Sequence, residues 1–243
     1  MKKVGIISQA RMTSTRLPGK VLKEINGNSL LKYHTDRVLQ SGYPLYIATT
    51  VNTTDNPIVD FCEKAEIPYY RGSEDHVLSR YYECAKKNEL DVIVRVTSDC
   101  PLIDGEQIKE GLDFYLAQDN EWLYLSSGLS KTFPRGFDFE IFSFYLLEQA
   151  FENATTEPEV EHVTPYMYLD RDARIEKVAY KYHQDKGTYR ITVDTPEDFE
   201  LVQQLIVHYN AHLQGVNGIV DILDKDEKLV AINAHIEQKK LGE

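Results

Sequence analysis

The segment Gln9-Ala10-Arg11-Met12-Thr13-Ser14-Thr15-Arg16-Leu17-Pro18-Gly19-Lys20 follows the apolar run Val4-Gly5-Ile6-Ile7. The apolar run predicts a buried strand. The segment after it predicts a loop with three cations and three hydroxyl groups. Arginine and lysine form charge-assisted hydrogen bonds with phosphate oxygens, and hydroxyl and backbone N–H groups can complete the cradle. The segment therefore predicts a polyphosphate site, although a basic loop that is only solvated has the same composition.

Two familiar phosphate-binding motifs are absent from this loop. Lys20 follows Gly19 but precedes Val21, so the Gly-Lys-Ser/Thr end of a Walker loop is missing. The loop has too few glycines for the G-x-G-x-x-G pattern of dinucleotide-binding folds. It therefore indicates phosphate binding by another arrangement.

Length and charge restrict the class of protein. At 243 residues the chain is long enough for one large α/β domain. Its 27 Lys and Arg residues against 39 Asp and Glu residues give a formal net charge of −12, which argues against a general nucleic-acid-binding surface. A local basic loop in an acidic chain instead favours a small anionic ligand.

The cysteines and the apolar segments predict a soluble protein of the cytoplasm. Cys62, Cys84 and Cys100 are odd in number and lack metal-binding spacing, which favours reduced thiols. No signal-peptide core follows Met1-Lys2-Lys3, and no apolar stretch is long enough to cross a membrane. We therefore expect a cytoplasmic location without membrane insertion.

Strand and helix patterns alternate in the first part of the chain. Apolar runs predict strands at 4–8, 45–50, 68–71 and 92–96, and amphipathic patterns predict helices at 29–40, 57–65 and 77–88. Alternation with short connections predicts a mostly parallel central sheet flanked by helices. Further on, the patterns predict a strand pair at 122–125 and 137–142, a helix at 143–153, and a last strand at 189–193 before a helix that begins at Pro196.

The loop residues also resemble a known family. The pattern Ala10-Arg11-x-x-Ser14-x-Arg16-Leu17-Pro18-Gly19-Lys20 resembles the nucleotide-binding signature of cytidylyltransferases that activate acidic sugars, such as the KDO and sialic acid CMP-sugar synthetases. Over essentially the whole chain, the likeness is greatest to the SpsF-like branch, which is associated with spore-coat and surface polysaccharides. The resemblance implies an α/β, Rossmann-like nucleotidyltransferase fold in a single domain, residues 1–243. It also implies a small β-rich dimerisation and substrate lobe at about residues 120–185.

Two aspartates are expected to bind a metal ion. Asp99 follows the strand at 92–96, and ligands collect at the carboxyl ends of strands in open α/β sheets. By the resemblance, Asp99 takes the place of the family's metal-binding aspartate, and Asp194 matches the second one. Such a pair suits Mg²⁺, which prefers oxygen ligands, with phosphates completing its shell. A helix N-cap or a turn also explains each aspartate.

Two further segments are candidates for the sugar-binding side. Arg135, Asp138 and Glu140 lie in residues 134–140, which resemble the family's sugar-side element. The arginine suits a carboxylate, and the acids suit sugar hydroxyl groups or support the metal. His162 lies in residues 161–166, which resemble a motif of the SpsF-like branch, and is a candidate for substrate contact or for a dimer interface. A solvated strand edge and a structural histidine explain the same residues, and homodimerisation is expected from the resemblance alone.

The resemblance implies transfer of CMP from CTP to an acidic sugar, of the 2-keto acid type, with release of pyrophosphate and with Mg²⁺ as cofactor. The expected catalytic residues are Arg11, Arg16, Lys20 and Asp99. Nucleotide binding is expected from Gln9, Ala10, Arg11, Ser14, Lys20, Arg71, Ser73 and Asp75. Another nucleotide or acceptor would fit the same loop chemistry. A glycosyltransferase or a catalytically silent nucleotide-binding module would also be compatible with a loop of this kind.

Overall fold

The computed structural model describes residues 2–238. The strands in this part of the chain are β1 (Val4–Gln9), β2 (Glu24–Ile25), β3 (Asn28–Ser29), β4 (Leu45–Thr50), β5 (Tyr69–Gly72), β6 (Val92–Thr97), β7 (Leu123–Ser126), β8 (Glu140–Ser143) and β9 (Glu176–Ala179). The helices are α1 (Leu30–Leu39), α2 (Asn56–Lys64), α3 (Val77–Lys87), α4 (Gly105–Gln118), α5 (Phe144–Asn153), α6 (Glu157–His162), α7 (Pro165–Tyr168), α8 (Pro196–Tyr209), α9 (Val216–Lys225) and α10 (Glu227–Ala231). The domain predicted for residues 1–243 also includes residues 1 and 239–243, which lie outside the described residues. Within residues 2–238, no helix combines the length and the apolar character needed to cross a membrane.

Seven of the strands form one sheet in the order β5-β4-β1-β6-β8-β7-β9. β1 pairs in parallel with β4 and β6, and β4 pairs in parallel with β5. β8 is antiparallel to both of its neighbours, whereas β7 and β9 are parallel to each other. All strands of this sheet except β8 therefore run in the same direction, which confirms the predicted mostly parallel sheet.

The carboxyl ends of β1 and β6 meet in the middle of the sheet. After β1 the chain continues outwards to β4 and β5, and it then returns through α3 to β6 on the other side of β1. Gln9 is paired with Thr97, so the loop of residues 10–19 begins beside the loop of residues 98–104. A reversal of strand order opens a crevice at these strand ends, where open α/β sheets bind ligands.

Local sequence explains where these elements begin. β6 reads Val-Ile-Val-Arg-Val-Thr and is β-branched at every position except Arg95. Ser29 caps α1 by accepting a hydrogen bond from the Lys32 N–H at 3.1 Å. Thr195 and Asp198 form a capping box at the start of α8. The strands and helices predicted before residue 97 are confirmed to within one residue at each end.

The predicted last strand, residues 189–193, is wrong. Arg190 forms only an isolated bridge with Arg135. The Ile191 N–H donates to the Arg135 carbonyl at 2.8 Å, whereas the Val193 N–H donates to the Asp99 carbonyl at 2.8 Å. The segment therefore divides its hydrogen bonds between two loops and does not pair along one strand. The strand predicted at 137–142 is also shorter than expected, because β8 begins only at Glu140.

The segment predicted as a lobe, about residues 120–185, extends the same sheet. It supplies β7, β8 and β9, which continue the sheet beyond β6. Tyr124 and Phe142 from this segment are buried in one apolar cluster with Tyr81 of α3. The segment therefore belongs to the packing of the central sheet, and its role in dimerisation stays a prediction.

Candidate active site

A cleft of about 830 Å³ lies at the carboxyl ends of β1 and β6. The predicted residues that line it are Gln9, Ala10, Arg11, Ser14, Arg16, Lys20, Asp75, Asp99, Arg135, Asp138, Glu140, His162 and Asp194. Arg71 and Ser73 were also predicted but lie outside its lining. The Arg71 guanidinium donates instead to the carbonyl oxygens of Thr50 and Asn52, both at 2.8 Å, at the end of β4. The structure thus brings most of the predicted residues to one cleft.

Gly19 turns the basic loop back towards the sheet. Its φ of 67° is left-handed, a conformation that glycine adopts without strain. Its N–H donates to the Met12 carbonyl at 2.9 Å and closes the loop. The chain then enters a short 3-10 turn at Lys20. This turn directs Lys20 into the cleft wall, where the residue is only 9% exposed.

Lys20 bridges the two aspartates that were predicted as metal ligands. Its Nζ lies 2.9 Å from Asp99 Oδ2 and 2.8 Å from Asp194 Oδ1. Burial alone would lower the pKa of Lys20, but the two carboxylates outweigh burial and raise that pKa. Burial would raise the pKa of Asp99, yet Lys20, together with Thr97 and Cys100, lowers it to about 2. Lys20 and Asp99 are therefore both charged at neutral pH.

The same geometry tests whether the two aspartates fit a metal ion. One oxygen from each carboxylate lies within 2.9 Å of a single cationic atom, so the carboxylates converge on one point. Proteins hold Mg²⁺ with one or two carboxylates, and water and substrate phosphates complete its shell. Within residues 2–238, no group of three His, Cys, Asp or Glu side chains is arranged to hold a metal. The pair fits a Mg²⁺ ion that arrives with phosphate groups, provided that Lys20 Nζ moves aside.

An ionic network supports Asp194. Arg16 Nη2 lies 3.1 Å and Arg190 Nη2 lies 2.7 Å from Asp194 Oδ2, so with Lys20 this carboxylate contacts three cations. Arg190 also donates to both oxygens of the buried Asp198, at 2.8 and 3.0 Å. The side-chain amide of Asn233 donates to Asp198 Oδ1 at 2.8 Å. This ionic network is formed by Arg190, Asp198 and Asn233. It holds residues 190–194 in place, although these residues do not form a regular strand.

A neutral hydrogen-bonded chain supports Asp99. Burial lowers the pKa of His34 to about 4, so its ring carries one proton at neutral pH. His34 Nδ1 lies 3.0 Å from the Cys100 carbonyl, which can only accept, so Nδ1 is the donor. His34 Nε2 therefore accepts from Ser8 Oγ at 2.8 Å, and Ser8 Oγ accepts from Ser98 Oγ at 2.7 Å. This neutral chain, formed by Ser98, Ser8 and His34, fixes the residues on both sides of Asp99 without adding charge.

A second group of side chains lines the cleft beside the loop of residues 72–76. Arg11 Nη1 lies 3.6 Å from Glu74 Oε1. Glu74 also accepts hydrogen bonds from Thr13 Oγ1 and Asn52 Nδ2. Arg80 of α3 lines the same part of the cleft and is 2% exposed. The Arg11 side chain is 46% exposed, so it remains accessible to a ligand.

A buried ion pair lies in the wall formed by β6 and β8. Arg95 pairs with Glu140, and Arg95 Nη2 donates to Gln9 Oε1 at 3.3 Å. Glu140 also accepts from the Tyr124 hydroxyl and from Thr164 Oγ1, the latter at 2.7 Å. Protein groups therefore engage Glu140, and a sugar hydroxyl would have to replace one of them.

Asp138, Arg135 and His162 complete this wall. Burial raises the pKa of Asp138, although a hydrogen bond from the Gly136 N–H at 3.0 Å and the charge of Arg135 oppose the shift. Burial lowers the pKa of His162. The next residue, Val163, has a φ of 71°, which is strained for a β-branched residue. Together the three side chains offer a cation, a carboxyl group and an imidazole to a polar acceptor molecule.

Three arginines near the cleft were not selected from the sequence. Arg95 interrupts an otherwise β-branched strand, and a charge in such a strand is a signal that sequence reasoning could have used. Arg190 lies four residues before Asp194, but only the folded segment shows that the two side chains meet. Arg80 lies within an ordinary amphipathic helix, so no sequence pattern marks its burial.

Comparisons with known proteins find cytidylyltransferases among the relatives of this chain. The profile of a family described as cytidylyltransferase matches residues 4–238. The spore coat polysaccharide biosynthesis protein SpsF of Bacillus subtilis is 32% identical and covers 84% of this chain and 87% of its own. A 3-deoxy-manno-octulosonate cytidylyltransferase of Fusobacterium nucleatum is 34% identical over 47% of this chain and 46% of its own. A solved cytidylyltransferase from Leptospira borgpetersenii superposes with a TM-score of 0.91 and 29% identity, over 99% of this chain and 100% of that chain.

Proposed function

The chain belongs to the cytidylyltransferase family and is a nucleotidyltransferase, and from this premise we propose that it transfers CMP from CTP to an acidic sugar and releases pyrophosphate. The proposal rests chiefly on the meeting of Lys20, Asp99 and Asp194 in one cleft at the point where strand order reverses. Cationic groups for phosphates and oxygen ligands for a metal ion then lie side by side, as transfer at an α-phosphate requires.

The basic loop would bind and orient the triphosphate. Nucleotidyl transfer needs an in-line nucleophile and stabilised charge on phosphate oxygens more than it needs covalent chemistry by the protein. Arg11 is accessible at the cleft, and Arg16 and Lys20 lie against the aspartates. On entry of the triphosphate, Lys20 would exchange its aspartate contacts for phosphate oxygens. Its charge would then stabilise the departing pyrophosphate.

Asp99 and Asp194 would hold Mg²⁺. When bound there, the ion would neutralise phosphate charge and lower the pKa of a coordinated hydroxyl group. Asp99 rests on the neutral chain and contacts one cation, whereas Asp194 is shared with Arg16 and Arg190. We therefore expect metal binding to depend mainly on Asp99.

A 2-keto acid sugar is the proposed acceptor. Arg135 suits its carboxylate, and Asp138 suits its hydroxyl groups. The name of the Fusobacterium relative, an octulosonate cytidylyltransferase, supports an acidic sugar. The name of SpsF supports a place in surface polysaccharide biosynthesis. A homodimer in the cytoplasm is part of the same proposal, and light scattering of the purified protein tests the dimer.

Pyrophosphate release tests the proposed function. The protein is incubated with Mg²⁺ and with CTP, UTP, GTP or ATP in turn, against acidic sugars and sugar phosphates. Release with CTP and a keto acid sugar alone would support the proposal. Release with another nucleotide, or only with a sugar phosphate, would overturn the proposed substrates but not nucleotidyl transfer. No release in any combination would contradict the proposed function.

A further inference from the structure

Arg80 is a buried cation in the cleft wall. The residue is 2% exposed, and its Nε and Nη1 atoms are buried without a hydrogen-bond partner in the described part of the chain. An unpaired buried charge is costly, so proteins normally pair it with an anion or hydrogen-bond acceptors. Arg80 is therefore a place at which the protein alone leaves hydrogen-bond donors unused.

Two carboxylates whose charges act on Arg80 are committed to other groups. The charges that act on Arg80 include those of Asp55 and Glu74. Asp55 accepts from the Met12 N–H at 2.7 Å and from groups at the end of β4. Glu74 is engaged by Arg11 and two neutral side chains. Neither carboxylate neutralises Arg80 in the way that Asp99 neutralises Lys20.

The surrounding backbone is shaped to admit this arginine. A Cβ atom on Gly72 would lie 2.7 Å from Arg80 Cγ, so any larger residue at position 72 would displace the side chain. His76 Nδ1 accepts from the Ser79 N–H at 3.0 Å and fixes the first turn of α3. The position of Arg80 is therefore set by its neighbours before any ligand binds.

We propose that Arg80 recognises the nucleotide base and donates hydrogen bonds to the O2 and N3 atoms of cytosine. The assignment rests on the proposed function for the identity of the nucleotide. Arginine has only donors, and cytosine presents two adjacent acceptors at O2 and N3. Uracil presents an N–H at position 3, which would leave an Arg80 donor facing another donor.

Depth in the cleft favours the base over a phosphate group as the partner of Arg80. A triphosphate carries several charges, and placing it against a side chain that is 2% exposed would remove much of its hydration. A flat, neutral base enters such a site at lower cost. Arg11, with a side chain 46% exposed, remains available for phosphate oxygens.

Equilibrium binding of CTP, UTP and inorganic pyrophosphate tests the proposal. Arg80→Met removes the donors but keeps the approximate volume, and Arg11→Met is the matched control in the same part of the cleft. We expect Arg80→Met to weaken CTP binding by roughly 10- to 100-fold, to abolish the preference for CTP over UTP, and to leave pyrophosphate binding unchanged. Arg11→Met should weaken both nucleotides and pyrophosphate by similar factors.

A second variant and the melting temperature separate recognition from folding. Gly72→Ala should displace Arg80 and reduce the CTP preference while the guanidinium is retained. Arg80→Met should melt at or above the temperature of the wild type, because it removes an unpaired buried charge. Unchanged CTP preference in Arg80→Met, or an equal loss of pyrophosphate binding, would overturn the assignment of Arg80. Failure of the wild type to bind CTP would instead contradict the proposed function.

Discussion

The segments that carry Asp99 and Asp194 reach the same ammonium group by different structural means. Asp99 follows β6, a regular parallel strand, and rests on the neutral chain. Asp194 follows an irregular segment and rests on the ionic network. Both carboxylates nevertheless place one oxygen within 2.9 Å of Lys20 Nζ.

The difference between the two supports determines how much charge each aspartate can offer to a ligand. The neutral chain contributes hydrogen bonds only, so within residues 2–238 Lys20 is the one cation paired with Asp99. The ionic network adds Arg190 to Lys20 and Arg16, so Asp194 is already surrounded by positive charge. Asp99 is therefore suited to bind a metal ion, and Asp194 is suited to anchor the loop cations.

Asp99→Asn should give the largest effect. Compared with Asp194→Asn, it distinguishes metal binding from the anchoring of the loop cations. We expect kcat to fall by about 100- to 1,000-fold, because a charged ligand at the reacting phosphate is lost. The melting temperature should fall less than in Asp194→Asn, because Lys20 keeps Asp194 as a partner. Asp194→Asn should lower both activity and melting temperature, because three cations lose a common anion. Pyrophosphate release and thermal unfolding measure the two effects. Full activity in Asp99→Asn would contradict the division of roles.

Asp198→Asn tests the ionic network. Asp198 is fully buried and accepts two hydrogen bonds from Arg190, so its neutralisation should lower the free energy of unfolding by about 3 kcal/mol. Asp36→Asn is the matched control, because Asp36 forms an exposed pair with Lys32 and should contribute less than about 1 kcal/mol. Urea unfolding compares the two variants. Equal effects of the two changes would show that the network does not support the segment.

The neutral chain should respond to pH. The pKa of His34 is about 4 in the folded chain against 6.5 for the free side chain, so the unfolded chain binds the extra proton more readily. The stabilisation from neutral His34 is complete above pH 6.5 and is lost as the pH falls towards 4. Between about pH 7.5 and about pH 5 the free energy of unfolding should fall by about 2 kcal/mol from this group.

His34→Gln isolates this pH effect. Glutamine does not titrate in the range, so the variant should lose stability less steeply than the wild type as the pH falls. Urea unfolding at several pH values gives both slopes. Identical slopes for the two proteins would mean that His34 is not held neutral by the fold.

The smallest expected effect is the change in Mg²⁺ affinity of Lys20→Ala, which removes the ammonium group that both carboxylates contact. Removing Nζ leaves two converging carboxylates, so we expect Mg²⁺ to bind about tenfold more tightly in the absence of nucleotide. Arg16→Met is the control, because Arg16 contacts Asp194 Oδ2, whereas Lys20 contacts Oδ1. Calorimetric titration with Mg²⁺ measures both variants. An unchanged affinity in Lys20→Ala would show that the lysine does not occupy the position of the metal ion.

The sequence predicted the regular segment better than the irregular one for a physical reason. β1 and β6 are short apolar runs whose hydrogen bonds go to neighbouring strands, so local pattern was enough to place Asp99 at a strand end. Residues 189–193 have a similar pattern, but their hydrogen bonds go to the carbonyls of Arg135 and Asp99, far away in the sequence. Asp194 was therefore expected beside Asp99 from the resemblance together with a wrongly predicted strand, and the folded segment brings both carboxylates to one cleft.

Most of the predicted site residues line the cleft, because the family motifs lie in its loops. The contacts of Lys20 with Asp99 and Asp194 were not predicted, because Lys20 was expected to face phosphate. These contacts depend on the folded chain. Arg71 has the same charge and loop position as a ligand-binding arginine, yet backbone carbonyls engage it. Arg80 shows the opposite case, because its lack of a partner is visible only in three dimensions.

Labelled CTP shows directly whether the protein transfers the CMP group to an acceptor. CTP labelled in its α-phosphate, and separately in its γ-phosphate, is incubated with a 2-keto acid sugar and Mg²⁺. We predict that the α label appears in a sugar-linked product and the γ label in pyrophosphate, with both reactions lost in Asp99→Asn. Appearance of the α label only as free CMP would contradict transfer to a sugar, and transfer at the wild-type rate by Asp99→Asn would contradict the role of Asp99.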